Sequence, residues 1–147
     1  MKRRTSLLMF SAIAGASLLS ACAVPSSPAA GGTAQLRVTG TVTYRERIAL
    51  DPAADIVVQL LDVSLMDAPS KVLAEQRIKA NGKQVPFAYE LKVDAARIDP
   101  RMRYAVSARI TRGEQLLFIN DTQYPVLTQG GATSADLVLV RVAQAPR

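Results

Sequence analysis

From Gln35 onward the chain alternates between apolar and polar residues. Leu36, Val38, Gly40, Val42 and Tyr44 hold one parity, and Arg37, Thr39, Thr41, Thr43 and Arg45 hold the other. Successive side chains of a strand point to opposite faces, so this pattern predicts a strand with one buried face and a solvated Thr/Arg face. Gly40 falls on the inward parity, which predicts a bulge or the close approach of another chain segment. The pattern recurs at Ile56, Val58 and Leu60, less cleanly over Val72 to Ile78, and most clearly at Val85, Phe87, Tyr89, Leu91 and Val93. It returns at Tyr104, Val106, Ala108 and Ile110, then in shorter runs over Leu116–Ile119, Tyr124–Leu127 and Leu137–Val142. Asn81-Gly82 and Arg112-Gly113 supply turns, since Asn and Gly tolerate positive φ. Pro86 donates no ladder bond and marks a sheet edge. Asp94 is placed to cap one helical turn over the residues that follow it. Seven to eight short strands with at most one helical turn predict an all-β domain, an antiparallel β-sandwich, with a small barrel as the alternative.

The N-terminus reads differently. Lys2, Arg3 and Arg4 precede an uncharged apolar run from Leu7 to Leu19. That run falls short of the ~20 residues a membrane-spanning helix needs. A basic start, a short apolar core and small residues at its end form a secretory signal over residues 1–21. Leu19-Ser20-Ala21-Cys22 resembles the bacterial lipobox, and Cys22 is the chain's one cysteine. The resemblance implies diacylglycerol transfer to the Cys22 sulfur, cleavage before Cys22, and acylation, for example by palmitate, of the new amino terminus. Two or more acyl chains hold a protein firmly on a bilayer without spanning it. Ala23 at the following position favours, by the enteric sorting rule, the outer membrane, with the domain facing the periplasm. Residues 22–34 are expected to be the lipidated terminus and a flexible tether, with a reach of roughly 20 Å. The folded domain is expected over 35–143, with a disordered tail at 144–147.

Composition excludes much chemistry. The chain has no histidine. Ser-His-Asp and Cys-His catalysis are therefore closed to it, and so is a His-ligated or multi-cysteine zinc site. One thiol cannot form an internal disulfide. The twelve carboxylates are dispersed: Asp51 and Asp55 flank Pro52, and Asp94 and Asp99 bracket the expected helical turn. Each reads as a turn or capping residue. No nucleotide-binding glycine motif and no calcium loop is present. The expectation is a non-enzymatic protein without cofactor or metal. The formal charge of +6 includes the three leader positives; without them 15 Lys+Arg stand against 12 Asp+Glu, a net of +3. That is no strong claim on nucleic acid.

Two features stand out within the domain. Arg101, Arg103 and Arg109 share one parity, opposite Tyr104, Val106 and Ile110, with Arg97 before them and Arg112 after. They are the candidate surface for an acidic partner segment or for lipid phosphates, set against the plainer reading of a solvated face. Tyr104 follows the corner Asp99-Pro100-Arg101-Met102-Arg103. A tyrosine there is expected to pack inward while its hydroxyl bonds nearby backbone.

A wider resemblance rests on several stretches together. They are Gly40-Thr41-Val42-Thr43-Tyr44-Arg45-Glu46-Arg47-Ile48-Ala49-Leu50, Val58-Gln59-Leu60 with Asp62-Val63-Ser64, Ala68-Pro69, and Ala74-Glu75-Gln76. Val85-Pro86-Phe87, the Asp99 to Tyr104 corner, and Asp121-Thr122 with Tyr124-Pro125-Val126-Leu127-Thr128 complete them. Over roughly residues 36–142 the chain resembles the YbaY-type lipoprotein family, grouped with the YscW-type type III secretion pilotins. The resemblance implies a lipid-anchored β-sandwich on the periplasmic side of the outer membrane. For the pilotin branch it implies a chaperone that binds a terminal segment of a secretin subunit. It brings no catalytic residues and leaves the oligomeric state open. With the last strand expected to end at Val142, no room is expected for the extra C-terminal domain of some relatives. The alternative function is a general envelope lipoprotein that binds a small ligand or inhibits a lytic enzyme.

Overall fold

The computed structural model describes residues 33–143. The expected signal over 1–21, Cys22, most of the expected tether and the tail expected at 144–147 lie outside the described residues. Eight strands follow one another: β1 (Gln35–Tyr44), β2 (Asp55–Asp62), β3 (Lys71–Lys79), β4 (Phe87–Asp94), β5 (Tyr104–Arg112), β6 (Gln115–Ile119), β7 (Tyr124–Val126) and β8 (Leu137–Arg141). The expected helical turn is a 3₁₀ turn over Ala95–Arg97; its cap Asp94 accepts from the Ala96 N–H at 2.9 Å.

The all-β expectation holds, but the architecture is not a two-sheet sandwich. The strands form one continuous sheet in the order β3-β2-β5-β6-β8-β1-β4, with β7 beside the start of β5. The sheet curls until its end strands face each other, where the Glu90 N–H of β4 donates to Gln76 Oε1 of β3 at 2.7 Å. The physical reason lies in β8. It pairs in parallel with β1, from Val42↔Leu137 to Tyr44↔Leu139. It also pairs antiparallel with β6, at Phe118↔Arg141 and Ile119↔Val140. One short strand thereby joins what would have been two sheets. Alternation cannot distinguish the two results, because a sandwich and a curled barrel both bury one face of every strand.

The inward parity fills the barrel. Val38, Val42, Ile56, Val58, Leu60, Leu91, Ile110, Val126 and Leu137 are almost wholly removed from solvent. Tyr44 and Phe118 stack with ring centroids 4.3 Å apart. The blurred alternation of β3 has a local cause. The β2–β3 register shifts between Leu60 and Leu61, so that Ala74 opposes Leu60, Val72 opposes Leu61, and Leu73 is the extra, buried residue of a bulge. Pro86 precedes β4, which ends the strand path, as its missing donor predicts.

Gly40 marks a close approach. A Cβ there would run into the backbone carbonyl of Ala135. The returning segment 133–135 bonds β1 through Thr39 N–H to Thr133 O (3.1 Å) and Ala135 N–H to Thr39 O (2.9 Å). Tyr89, opposite Gly40 in register, donates its hydroxyl to the same Ala135 carbonyl at 2.6 Å. Burial, followed by the nearby Asp136 carboxylate, pushes the Tyr89 hydroxyl pKa up, so it remains a donor. Tyr104 is buried as expected, and its hydroxyl accepts from the Asp99 N–H at 2.9 Å, tying the corner to β5.

Two outcomes follow for stability. Tyr104→Phe removes the acceptor for Asp99 N–H while keeping the ring, and should lower unfolding free energy by about 1 kcal/mol. Tyr104→Ala should lower it by about 3–5 kcal/mol, the usual range for truncating a buried aromatic. Urea denaturation followed by circular dichroism checks both, and equal midpoints for wild type and Tyr104→Phe would contradict the corner bond. Gly40→Ala forces segment 133–135 away from β1 and should cost about 1–3 kcal/mol. Hydrogen exchange should then show faster exchange at Ala135, and protection unchanged there would refute the close-approach account.

Candidate functional site

The predicted arginines do not form one patch. Arg101 and Arg103 lie in the corner before β5, whereas Arg109 lies inside it, six residues or roughly 20 Å beyond Arg103 at ~3.3 Å per residue. Arg101 closes on its own corner: Nη2 meets Asp99 Oδ2 at 2.8 Å, and Nε and the backbone N–H both donate to Oδ1. That side-chain bond holds the Asp99 carboxyl down at about 2. Arg103 uses its backbone, donating to Ser64 Oγ at 2.8 Å, and its side chain is exposed.

Arg109 belongs to a ladder on the outer surface. Its Nη1 donates to Gln59 Oε1 (3.2 Å) on β2, and Gln59 Nε2 donates to Glu75 Oε2 (2.5 Å) on β3. Arg77 Nε donates to Glu75 Oε1 at 2.7 Å. The Gln59 bond, and after it the Arg77 bond, lowers the Glu75 pKa. This row carries alternating donors and acceptors from β5 to the free side of β3. On the opposite lip, Glu90 of β4 takes Lys92 Nζ at 3.1 Å and Arg37 Nη1 at 3.5 Å.

Between those lips runs the seam of the barrel. The end strands β3 and β4 share no ladder, and a cavity of about 540 Å³ lies between Ala74, Glu75, Gln76, Glu90, Leu91 and Lys92. Side chains take over where a ladder would be. Gln76 accepts from the Glu90 N–H, and Arg97 Nη1 reaches the Leu73 carbonyl at 3.0 Å. The sequence names Gln76 only within the stretch Ala74-Glu75-Gln76 and assigns it no role, although it carried a signal. It is a polar residue on the parity of Ala74 and Ile78, opposite the buried Val58. The seam offers two strand edges held by replaceable side-chain bonds, a geometry suited to strand addition.

The dispersed carboxylates are structural. Asp51 accepts from Ala53 N–H and pairs with Arg112 at 3.0 Å, and Asp55 pairs with Lys79 at 2.9 Å. Asn120 Oδ1 accepts from Ser107 Oγ and Ala108 N–H, which fixes the β6–β7 connection. Among the described residues no group of three or more His, Cys, Asp or Glu could hold a metal ion, and no helix is long and apolar enough to cross a membrane.

Comparison with known proteins agrees with this architecture. The chain is 49% identical over 110 residues to the lipoprotein YbaY of Escherichia coli (strain K12), covering 75% of this chain and 57% of that relative's length. A solved structure of an alternative pilotin from the type II secretion system of Vibrio cholerae superimposes with a TM-score of 0.73 at 43% identity. The match covers 76% of this chain and all of that one. Residues 33–139 match the model of the type III secretion system lipoprotein chaperone YscW, and the chain belongs to that family.

Proposed function

We propose that this protein is a non-enzymatic, lipid-anchored chaperone of the pilotin kind, on the periplasmic side of the bacterial outer membrane. In this reading it receives an extended segment of an outer-membrane secretion component, such as a secretin subunit, along the β3–β4 seam. The observation that carries the reading is the match to a pilotin over that pilotin's whole length. The seam supplies the mechanism. An incoming strand exchanges the side-chain bonds of Gln76 and Arg97 for main-chain bonds along the two edges. The rows Arg109–Gln59–Glu75–Arg77 and Arg37–Glu90–Lys92 then meet its polar side chains from either lip. Anchoring at Cys22 confines the domain to the membrane and raises its effective concentration toward membrane-bound partners.

The anchor has a direct check. Mass spectrometry of the membrane fraction should find a tri- or diacylated peptide beginning at Cys22. Cys22→Ser should leave the protein unprocessed or release the domain. A free Cys22 thiol on a soluble periplasmic protein would contradict anchoring.

Partner contact is checked by photocrosslinking in intact membranes. A photoreactive residue at Lys92, on the seam, should crosslink to a secretion component, and one at Glu114, in the β5–β6 turn, should not. Arg109→Gln should weaken the Lys92 crosslink, more at low salt than at high, because salt already screens an exposed contact. The melting temperature should change little, since the side-chain bond from Arg109 to Gln59 is worth about 1–3 kcal/mol at most and the Gln substitute keeps a donor there. Equal crosslinking from Lys92 and Glu114 would move the partner off the seam. The same Gln change at Arg101 and Arg103 should leave the Lys92 crosslink intact.

A further inference from the structure

The strand directions put one set of loops at the end where the chain enters the fold. β1 starts at that end, and its register with β4 sets Gln35 opposite Asp94. The ends of β2 and β7 and the starts of β3 and β5 lie there too, since Asp62 and Val126 both oppose Tyr104 and Lys71 opposes Asp62. Hydrogen bonds stitch this end together. Ala95 N–H donates to Ala34 O, Val63 N–H to Arg103 O, and Thr128 Oγ1 to Met102 O.

Most of the large apolar side chains left in solvent are gathered here. Leu65 is 71% exposed and Met66 89% exposed, at the tip of the β2–β3 loop, and Val72 and Met102 are exposed beside them. Together they make four of the seven exposed large hydrophobic residues of the described chain. Lys71 and Arg103 are exposed around them, the Arg103 guanidinium 3.5 Å from the Ser64 carbonyl, while Arg97 is held by the Leu73 carbonyl at the seam. Of the local carboxylates, Asp62 accepts from Ser64, Asp94 caps the 3₁₀ turn and Asp99 holds Arg101, while Asp67 sits in the loop beside Met66.

We infer that this end docks on the lipid surface, as a second membrane contact besides the acyl chains. The inference rests on the Cys22 anchor. Ala34 is twelve residues from Cys22, a reach of roughly 20 Å. An anchored domain therefore presents this end to the bilayer more readily than the opposite one. Leu65 and Met66 enter the interfacial layer, Asp67 keeps the loop from going deeper, and Lys71 and Arg103 meet headgroup phosphates. Each contact is weak alone, but the anchor makes it intramolecular and so populated.

The chain contains no tryptophan, so a single introduced tryptophan reports on one position. Mature acylated protein carrying Met66→Trp is reconstituted into vesicles of phosphatidylethanolamine and phosphatidylglycerol with brominated acyl chains. Ile48→Trp is the control: an exposed site in the β1–β2 loop, a strand's length or roughly 30 Å away for nine residues. Met66→Trp should shift to the blue and lose most of its emission to the bromines. Ile48→Trp should do neither. Adding Leu65→Asp to the Met66→Trp protein should restore the emission. Unquenched Met66→Trp, equal quenching at both sites, or a blue shift only after a partner protein is added would each overturn the docking. Absence of acyl mass at Cys22 would instead remove the anchor on which it stands, and intact mass of the same sample separates that failure from the others.

Discussion

The double pairing of β8 closes the molecule. Its first three residues run parallel to β1 and its last two run antiparallel to β6, so a five-residue strand carries the sheet from one half of the chain to the other. Leu137 and Leu139 of the same strand sit almost solvent-free in the core. Segment 133–135, which leads into β8, is pinned to β1 at Thr39 and Gly40, and Tyr89 holds it from above. The absence of a side chain at Gly40 is thus coupled to the position of β8, and through β8 to the curl that brings β3 and β4 face to face. The chain leaves β7 at the end where β1 begins, and the returning segment runs alongside β1 at Thr39 before β8 starts opposite Val42, so β8 becomes a parallel neighbour of β1.

Local features were legible in the sequence because their causes are local. Alternation placed the strands. Asn81 and Gly82 both take positive φ, as their residue types predict. Asp94 caps its turn, and Tyr104 bonds the corner it follows. Pairing partners were not legible, because they depend on residues far apart in the chain. Nothing in Leu137–Arg141 says that its neighbours will be β1 and β6, and without that fact a sandwich and a barrel read alike. The arginines show the same limit at smaller scale. Their shared parity was real, but parity defines a face only inside a strand. The chain turns at Asp99-Pro100, so Arg101 and Arg103 belong to the corner and Arg109 to the sheet. Gln76 was the reverse case, a polar residue on a core parity, whose meaning appeared only when β4 was found across the seam.

The polar groups of the seam show how the fold manages two strand edges without a ladder. An open edge invites pairing with any extended chain. Here Gln76 and Arg97 cover one donor and one acceptor, and the outer rows add charge of both signs on either lip. Side-chain covers of this kind are weaker barriers than a ladder, because the Gln76 bond is worth about 1 kcal/mol net and the charged Arg97 bond about 1.5–3 kcal/mol. A closed backbone ladder would have to be broken along its length. The seam would need only its two side-chain bonds exchanged, which is the property the proposed strand addition requires.

Direction then couples the seam to the Ala34 end. β3 leaves the end marked by Ala34, and β4 returns to it. A strand added between them is antiparallel to one lip and parallel to the other, whichever way it runs. It lies along the barrel and leads from the Ala34 end to the opposite end. If the Ala34 end rests on the bilayer, a segment held in the seam stands away from the membrane plane with one terminus close to the headgroups. The anchor, the apolar loop and the seam would then act in series: the first would limit distance, the second orientation, and the third would align the guest. A freely tumbling domain on the same tether would supply only the first. Orientation at the lipid surface is therefore what would turn confinement near a membrane into delivery of a segment to it.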